Sequence, residues 1–501
     1  MAGLGPAIHV FAAAPKTWMR GTSPRMTALE TSAVGPNERE RHGSDCAAVS
    51  DQSMRAFLAA LEADGELHRV KRSVDPRFEI ASVLSLRKHG PAQLFEHVRG
   101  HGMPIVGNLL NSRDRFARAL GVARADLHEF CVAALRAPLP PVVVTQAPLR
   151  ALEHRRDIEL ASLLPVPTWF EREAGPYISA GVIVAKDPET RKRNVSIARL
   201  RLEGGARLMA GIAHNHHLYR LAQKAKALGR SLEVAIAIGN HAAVLLASQM
   251  YVDLGEDEFA IAGALLREPL RLAACRTVDL EVPAEAEIVL EGELRAGELI
   301  EEGPVSEFPG FYVSYGPGLA VEIGCVTHRT DAVYQAILPG FAPEHCLLGA
   351  VAIEAVLCHA LQRVISCVRR VLVTDGGMGR LHAIISMQRP ALGEGKRAVL
   401  LAMGQVNLLK LVIAVEADID PEDWTQVEWS LAARFRGHED LIVLPGVKAD
   451  RCDPVHENST VTKIGMVATT RPGDGAPGSR SEFASVPRAV FERVRNDLDQ
   501  F

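Results

Sequence analysis

Near residue 330 the hydrophobic rhythm of the chain changes. From about 150 to 330, short apolar or alternating runs follow one another, each bounded by turn residues: Ile178–Val184, Val195–Leu202, Val234–Ile238, Val278–Val282, Glu287–Leu290 and Leu319–His328. A period of two puts successive side chains on opposite faces of a sheet. Many short strands of this kind predict a closed or split barrel. After 330, helix-length and strand-length patterns alternate. A helix over Ala350–Val364 precedes a strand over Arg370–Thr374; a strand over Leu411–Val415 precedes a helix over Pro421–Phe435, with proline at its first turn, and then a strand over Leu441–Leu444. That alternation predicts a βαβ sheet.

Upstream of the barrel, Met54, Phe57, Leu58 and Leu61 share one helix face, which Gly65 closes. Strand and helix signals alternate from there through Phe95 and Ile105–Leu110 to Val132, and Pro138, Pro140, Pro141 and Pro148 mark a linker. The expected architecture is α/β of the α+β kind. An N-terminal α/β lobe covers 53–150, the barrel 151–330 and a C-terminal α/β domain 331–470. A flexible tail over 471–501 ends in a helix, Pro487–Leu498, whose apolar stripe (Val490, Phe491, Val494, Leu498) needs a partner surface. Residues 1–52 lack steady periodicity and are expected to be disordered or an over-long start, with Met26 and Met54 as alternative starts.

Composition narrows the class. The formal charge is −4 over 501 residues, which gives no support for a nucleic-acid or anionic-membrane surface. Eight cysteines are scattered without CxxC spacing, so neither a zinc knuckle nor a disulfide framework is suggested, and a reducing cytoplasm is expected. No apolar run reaches the length of a membrane span; Leu232–Met250 comes closest and is broken by Glu233, Asn240 and His241. Residues 8–14 resemble a weak signal core, but no Lys or Arg precedes them. There is no internal repeat and no GxGxxG signature.

Chemistry concentrates in 286–313. After the apolar run Ile288-Val-Leu290, acidic residues crowd in, and Glu302-Gly-Pro-Val-Ser-Glu307 is a turn-rich loop with a carboxylate at each end, followed by Phe308. Carboxylates beside apolar groups tend to keep their protons, because desolvation disfavours the charged form, and a protonated carboxyl near neutral pH can act as a general acid. The alternative is a solvated acidic turn. The barrel segment also holds three potential ligands of unlike type: Asn194, His217 at the end of His214-Asn-His-His217, and Glu258. Amide oxygen, imidazole and carboxylate together suit a hard or borderline divalent cation such as Mn²⁺ or Mg²⁺, rather than zinc, whose usual sites use thiolates. Singly, each also fits a dull role: a turn cap, a surface histidine, a solvated acid.

The ordered set of motifs resembles the UbiD family of decarboxylases, which use prenylated flavin mononucleotide. The resemblance runs over roughly 54–470. It is carried by the Asn194…Arg199 strand, His217, Ala247-Ser-Gln-Met250 with Glu258 beyond it, Leu280–Gly292, Glu302-Gly-Pro-Val-Ser-Glu307 and Thr462-Lys-Ile-Gly465. It implies a split β-barrel of flavin-binding type and a catalytic set of Arg199, Glu302 and Glu307. It implies cofactor contacts from Asn194, Ser196, Ile197, Ala198, Arg199, His216, His217 and Met250. Mn²⁺ held by Asn194, His217 and Glu258 would tie the cofactor phosphate to the protein, with His214 as the alternative to His217. A backbone K⁺ site at Ala247, Ser248 and Met250 is implied too. The family's cinnamate branch carries a phosphate-binding lysine ahead of the strand matching Leu411–Val415. That position differs here, leaving Lys396 as the implied cofactor contact, or Lys410 in its place.

The implied activity is a reversible, non-oxidative decarboxylation of an aromatic, heteroaromatic or α,β-unsaturated carboxylic acid, with Arg199 positioning and Glu307 as proton donor. The implied partners are that small acid, a flavin prenyltransferase as cofactor supplier, and further copies of the chain in a homodimer or larger homo-oligomer. Two alternatives differ in class: an ordinary FMN oxidoreductase and a non-catalytic subunit of a (de)carboxylase complex.

Overall fold

A computed structural model describes residues 51–474, 481 and 484–500. The expectations for the first 50 residues, the weak signal core and Met26 among them, lie outside the described residues. Order is present at residue 52: Gln52 is 3 % exposed, its amide donates to Glu268 and to the carbonyl of Pro269, and it accepts from the Arg271 amide. The helix Met54–Ala63 buries Met54, Phe57, Leu58 and Leu61, the face that its spacing marks.

A nine-stranded sheet occupies the middle of the chain. Its long members are Ile288–Glu301 and Pro317–His328, an antiparallel pair that starts at Ile288↔His328 and slips register at Glu291/Gly292 and Arg295/Leu299. Such bulges bend and twist a pair. On one side follow Leu232–Ile238, Val182–Lys186 and Arg193–Ile197; on the other follow Arg207–Gly211, Arg199–Gly204 and Tyr177–Ile178. The chain steps directly from Arg193–Ile197, at one end of the sheet, to Arg199–Gly204, next to the other end, across Ala198. The sheet therefore curls around one apolar core holding Leu200, Leu208, Ile236, Leu290 and Val321, in the manner of a split barrel. The run expected as a single strand, Val195–Leu202, is two strands broken at Ala198.

Two other sheets show long-range pairings. In the N-terminal lobe the fourth strand is Tyr334–Gln335, from beyond the barrel, parallel to Ile105–Gly107. The proline-rich stretch read as a linker contains the strand Val142–Val144, which pairs in parallel with Arg271–Ala274. The C-terminal sheet runs Val368–Val373, His382–Met387, Leu411–Glu416, Thr460–Ala468, Leu441–Lys448. The helix Pro343–Gln362 begins seven residues before its expected start, with Pro343 in its first turn, and is the longest among the described residues. It is long and apolar enough to pass for a membrane span by length and composition alone, but 78 % of that window is buried inside the protein, as in a core helix.

Candidate active site

A cavity of about 620 Å³ opens where Arg193–Ile197 turns into Arg199–Gly204. The segment 194–199, the turn 211–217, the turn 248–252 and the Glu302–Phe308 loop line it from the barrel side. The stretches 404–408 and 450–452 line it from the C-terminal sheet.

Arg199 is the first residue of its strand, opposite Gly211. Its Nε and Nη2 donate to the two oxygens of Glu302 at 2.5 and 2.8 Å, and Nη1 donates to Glu307 Oε1 at 3.2 Å. A fork that meets a carboxylate through two parallel bonds is held in direction as well as distance. Gly211 makes room for it: a β-carbon there would stand 2.7 Å from both Arg199 Nε and Glu302 Oε1. Arg201 fixes the other side of Glu302, donating to its carbonyl and, at 2.8 Å, to that of Glu301. The guanidinium of Arg199 lies 4.4 Å from the centroid of the Tyr315 ring.

Glu307 sits between the short paired strands Pro304–Ser306 and Tyr312–Ser314, in a turn closed by the Gly310 amide on its carbonyl at 2.7 Å. Burial raises its pKa, and the nearby Arg199 only partly offsets that. A third acid borders this end. Glu173, 8 % exposed, accepts from the amides of Ser306 and Phe170, and burial pushes it up to about 7.

The other expected ligands line the same cavity at the barrel end. Asn194 and Ser196 lie on Arg193–Ile197, and Glu258 opens the helix Glu258–Leu266 behind the cap Asp257. Glu258 accepts from the Asn194 amide at 3.0 Å and from the Val195 amide at 2.9 Å; burial pushes its carboxyl up to about 8. Asn194 Oδ1, Ser196 Oγ and His216 Nδ1 are buried without a hydrogen-bond partner. His216 caps the helix His217–Ala227, and burial lowers it to about 4. His214 lines the cavity as well, with its ring 4.5 Å from Tyr219. Among the described residues no three His, Cys, Asp or Glu side chains gather into a metal cluster; Asn194, His217 and Glu258 include only two of those types. Ser248 and Met250 line the cavity and Ala247 ends the helix Ala242–Ala247 just behind them.

The lysines expected at the cofactor phosphate lie outside the cavity lining. Lys396 lies on the exposed face of Glu394–Gln405, away from the cavity lining, because the apolar face of that amphipathic helix faces the sheet. Lys410 is also outside the lining, and pairs with Asp453 at 3.1 Å. Sequence reasoning also missed Glu173, Arg201, Gly211 and Tyr315. None belongs to a recognisable motif: Tyr315, in Ser314-Tyr-Gly-Pro317, looks like part of a turn.

Residues 58–135, 142–342 and 346–468 match, in order, the N-terminal, Rift-related and C-terminal domains of 3-octaprenyl-4-hydroxybenzoate carboxy-lyase, UbiD. The chain belongs to the UbiD family, and it is a decarboxylase of the carboxy-lyase type. Among curated relatives, it is 35 % identical over 421 residues to the anhydromevalonate phosphate decarboxylase of Methanothermobacter thermautotrophicus, covering 83 % of this chain and 96 % of that protein. Among solved structures it is similar to the UbiD-class enzyme HmfF from Pelotomaculum thermopropionicum in complex with FMN, at 41 % identity and a TM-score of 0.81, over 87 % of this chain and 97 % of that one. An evolved dimeric form of HmfF in complex with prFMN is 40 % identical with a TM-score of 0.79, over the same shares of 87 % and 97 %. The vanillic acid decarboxylase of Sedimentibacter hydroxybenzoicus in closed form is 28 % identical with a TM-score of 0.83, over 91 % of this chain and 100 % of that one.

Proposed function

We propose that this carboxy-lyase removes CO₂, reversibly and without an oxidant, from an aromatic, heteroaromatic or α,β-unsaturated carboxylic acid, using prenylated FMN and a divalent cation. The supporting observation is the guanidinium of Arg199 held between Glu302 and Glu307 in the wall of a cavity of about 620 Å³. When bound, the flavin supplies the electron sink that no side chain offers.

The barrel end of the cavity fits that cofactor and its ions. Asn194 Oδ1 is buried without a partner, and Glu258 is a carboxyl that burial discourages from ionising. With the imidazole of His217 they make a mixed O/N set suited to Mn²⁺. Ser196 Oγ and His216 Nδ1 are further unused polar atoms on the same wall, with Ile197, Ala198 and Met250 between and beside them. The carbonyls of Ala247, Ser248 and Met250 would hold K⁺; those of Ala247 and Met250 each accept one backbone bond and keep a second lone pair. At the other end Arg199 orients the reacting carboxylate, and Glu302 fixes the direction of its fork. Glu307 keeps a proton by virtue of its burial and gives it to the carbon that loses CO₂.

The same reading makes the protein cytoplasmic, dependent on a flavin prenyltransferase for cofactor, and assembled as a homodimer or larger homo-oligomer. Co-expression with a flavin prenyltransferase, followed by a screen of acids for CO₂ release without reductant, tests it. Release from at least one acid, dependent on the prenylated flavin, is the expected result. Flavin bleaching by NAD(P)H with no CO₂ from any acid would overturn it in favour of an oxidoreductase.

A further inference from the structure

Arg380 lines the cavity and is 7 % exposed, on the turn that joins Val368–Val373 to His382–Met387. Its Nη1 donates to the carbonyls of Cys346 and Gly379, each at 2.9 Å, and its Cζ lies 5.6 Å from the centroid of the Phe308 ring. Among the described residues no carboxylate oxygen comes within 4.0 Å of its nitrogens, and Nε and Nη2 make no hydrogen bond to protein. Other buried arginines differ: Arg199 meets Glu302 and Glu307, and Arg113 meets Glu354 and Asp375.

The surroundings are shaped to keep this side chain where it is. A β-carbon on Gly349, within the helix Pro343–Gln362, would overlap the guanidinium. The turn that delivers it holds Met378 at φ 61°, a region that costs a side-chain-bearing residue about 1 kcal/mol or more. A buried charge without a partner is itself costly. Such an arrangement makes sense when a ligand brings the anion. The Nε–Nη2 edge offers two parallel N–H groups, the geometry that meets the two oxygens of a carboxylate or phosphate.

The position indicates which ligand. Phe308 follows Glu307 directly, and it packs in one apolar cluster with Cys346, Leu381 and Cys452 around Arg380. Arg380 therefore stands at the proton-donor end, whereas the cation ligands Asn194 and Glu258 come from the barrel strand and helix. Asp450 lines this wall too, so the wall is no general trap for anions; Arg451 also lines it, with its Nη1 on the carbonyl of Tyr315 at 2.7 Å and its guanidinium 5.0 Å from that ring's centroid, whereas the guanidinium of Arg380 lies against Phe308 with its Nε–Nη2 edge open.

We propose that Arg380 is a specificity-determining residue that binds a second oxyanion group, a carboxylate in the simplest case, on the acid that is decarboxylated. This rests on the decarboxylase reading. The test uses the full chain loaded with prenylated FMN and two probe pairs: benzoate with terephthalate, and sorbate with trans,trans-muconate. Dissociation constants come from calorimetry, CO₂ release is followed in parallel, and flavin content is measured for each variant.

In at least one pair the diacid is expected to bind roughly ten- to a hundredfold more tightly than its monoacid, the range for a hydrogen-bonded charge pair. In Arg380→Met that ratio should fall to near one, and Arg380→Lys should restore part of it. Equal or weaker binding of the diacid in both wild-type pairs overturns the proposal without any variant. A ratio that survives in Arg380→Met also overturns it. Loss of flavin from folded Arg380→Met would assign the oxyanion to the cofactor phosphate and equally overturn it. Absence of CO₂ release from every acid would sink the decarboxylase reading instead, and the binding ratio would still judge Arg380.

Discussion

Glu302 and Glu307 bind the same guanidinium from different surroundings. Glu302 has a side chain 1 % exposed and takes both prongs of the fork; Glu307 has one contact at 3.2 Å and faces the cavity at 14 % exposure. The second arrangement suits a proton donor, which must release the partner it holds. Glu307→Gln keeps volume but cannot deliver a proton, so CO₂ release should fall by ~10²–10⁴-fold with flavin and metal content intact. A variant that retains most of its turnover would rule out Glu307 as the acid. Because burial raises the Glu307 pKa, the wild-type rate should hold through the usual glutamate range and decline as pH rises through the raised value. A pH–rate profile without an alkaline limb attributable to Glu307 would contradict this. At the barrel end, burial pushes the Glu258 carboxyl up to about 8, so as the proposed cation ligand it would hold proton and metal in competition. Below that pH, Mn²⁺ affinity should rise by up to about tenfold per pH unit, and Glu258→Ala should lose metal and most of the flavin together. Full flavin occupancy in metal-free Glu258→Ala protein would disprove the shared site.

Among elements, the strand Arg207–Gly211 matters because it ends without a side chain. Gly211→Ala inserts a β-carbon between Arg199 and Glu302, 2.7 Å from an atom of each. The fork has to turn away, and reactions that depend on positioning are sensitive to shifts of about 1 Å, which cost ~10²-fold. The expected phenotype is near-normal folding and cofactor content with kcat reduced on that order; unchanged kcat would mean the pair is not required in this geometry. The helix Arg488–Asn496 behaves differently. It buries no residue of its own chain, and Val490 and Phe491 are 40 % and 52 % exposed. An amphipathic helix with an open apolar stripe gains by docking on a neighbour. Truncation after Arg480 should lower the mass in solution or the solubility, and an unchanged oligomer measured by light scattering would count against that role.

At the scale of the whole molecule, a buried ion pair, Arg113 with Glu354, ties the N-terminal lobe to the C-terminal part. Arg113 donates to Glu354 on the helix Pro343–Gln362, to Asp375 and to the carbonyl of Val373. Arg113→Met leaves Glu354 buried and without its cation. Removing one partner of such a pair costs about 3–5 kcal/mol, so a marked drop in Tm is expected. A Tm within a degree of wild type would show that the pair is not needed to join the two parts.

What the amino-acid order determined by itself was local and periodic. Alternating runs marked the barrel strands, helical spacing placed Met54, Phe57, Leu58 and Leu61 on one face, and charged or amide residues at motif positions marked Asn194, Arg199, Glu258, Glu302 and Glu307. The periodic signals survive because side-chain direction follows from backbone period alone, whereas the motif residues were legible through the resemblance to the family. Tertiary structure decided whatever depends on contacts between distant segments. It paired Tyr334–Gln335 with Ile105–Gly107, broke one expected strand at Ala198 to bring Arg199 beside residues more than 100 positions away, and turned a proline-rich stretch into a paired strand. It also took Lys396 away from the cavity and put Arg380, Glu173 and Tyr315 into its wall. A lone arginine or glycine in a sequence has no period, and its role arises only when packing sets its neighbours and excludes water from around its charge.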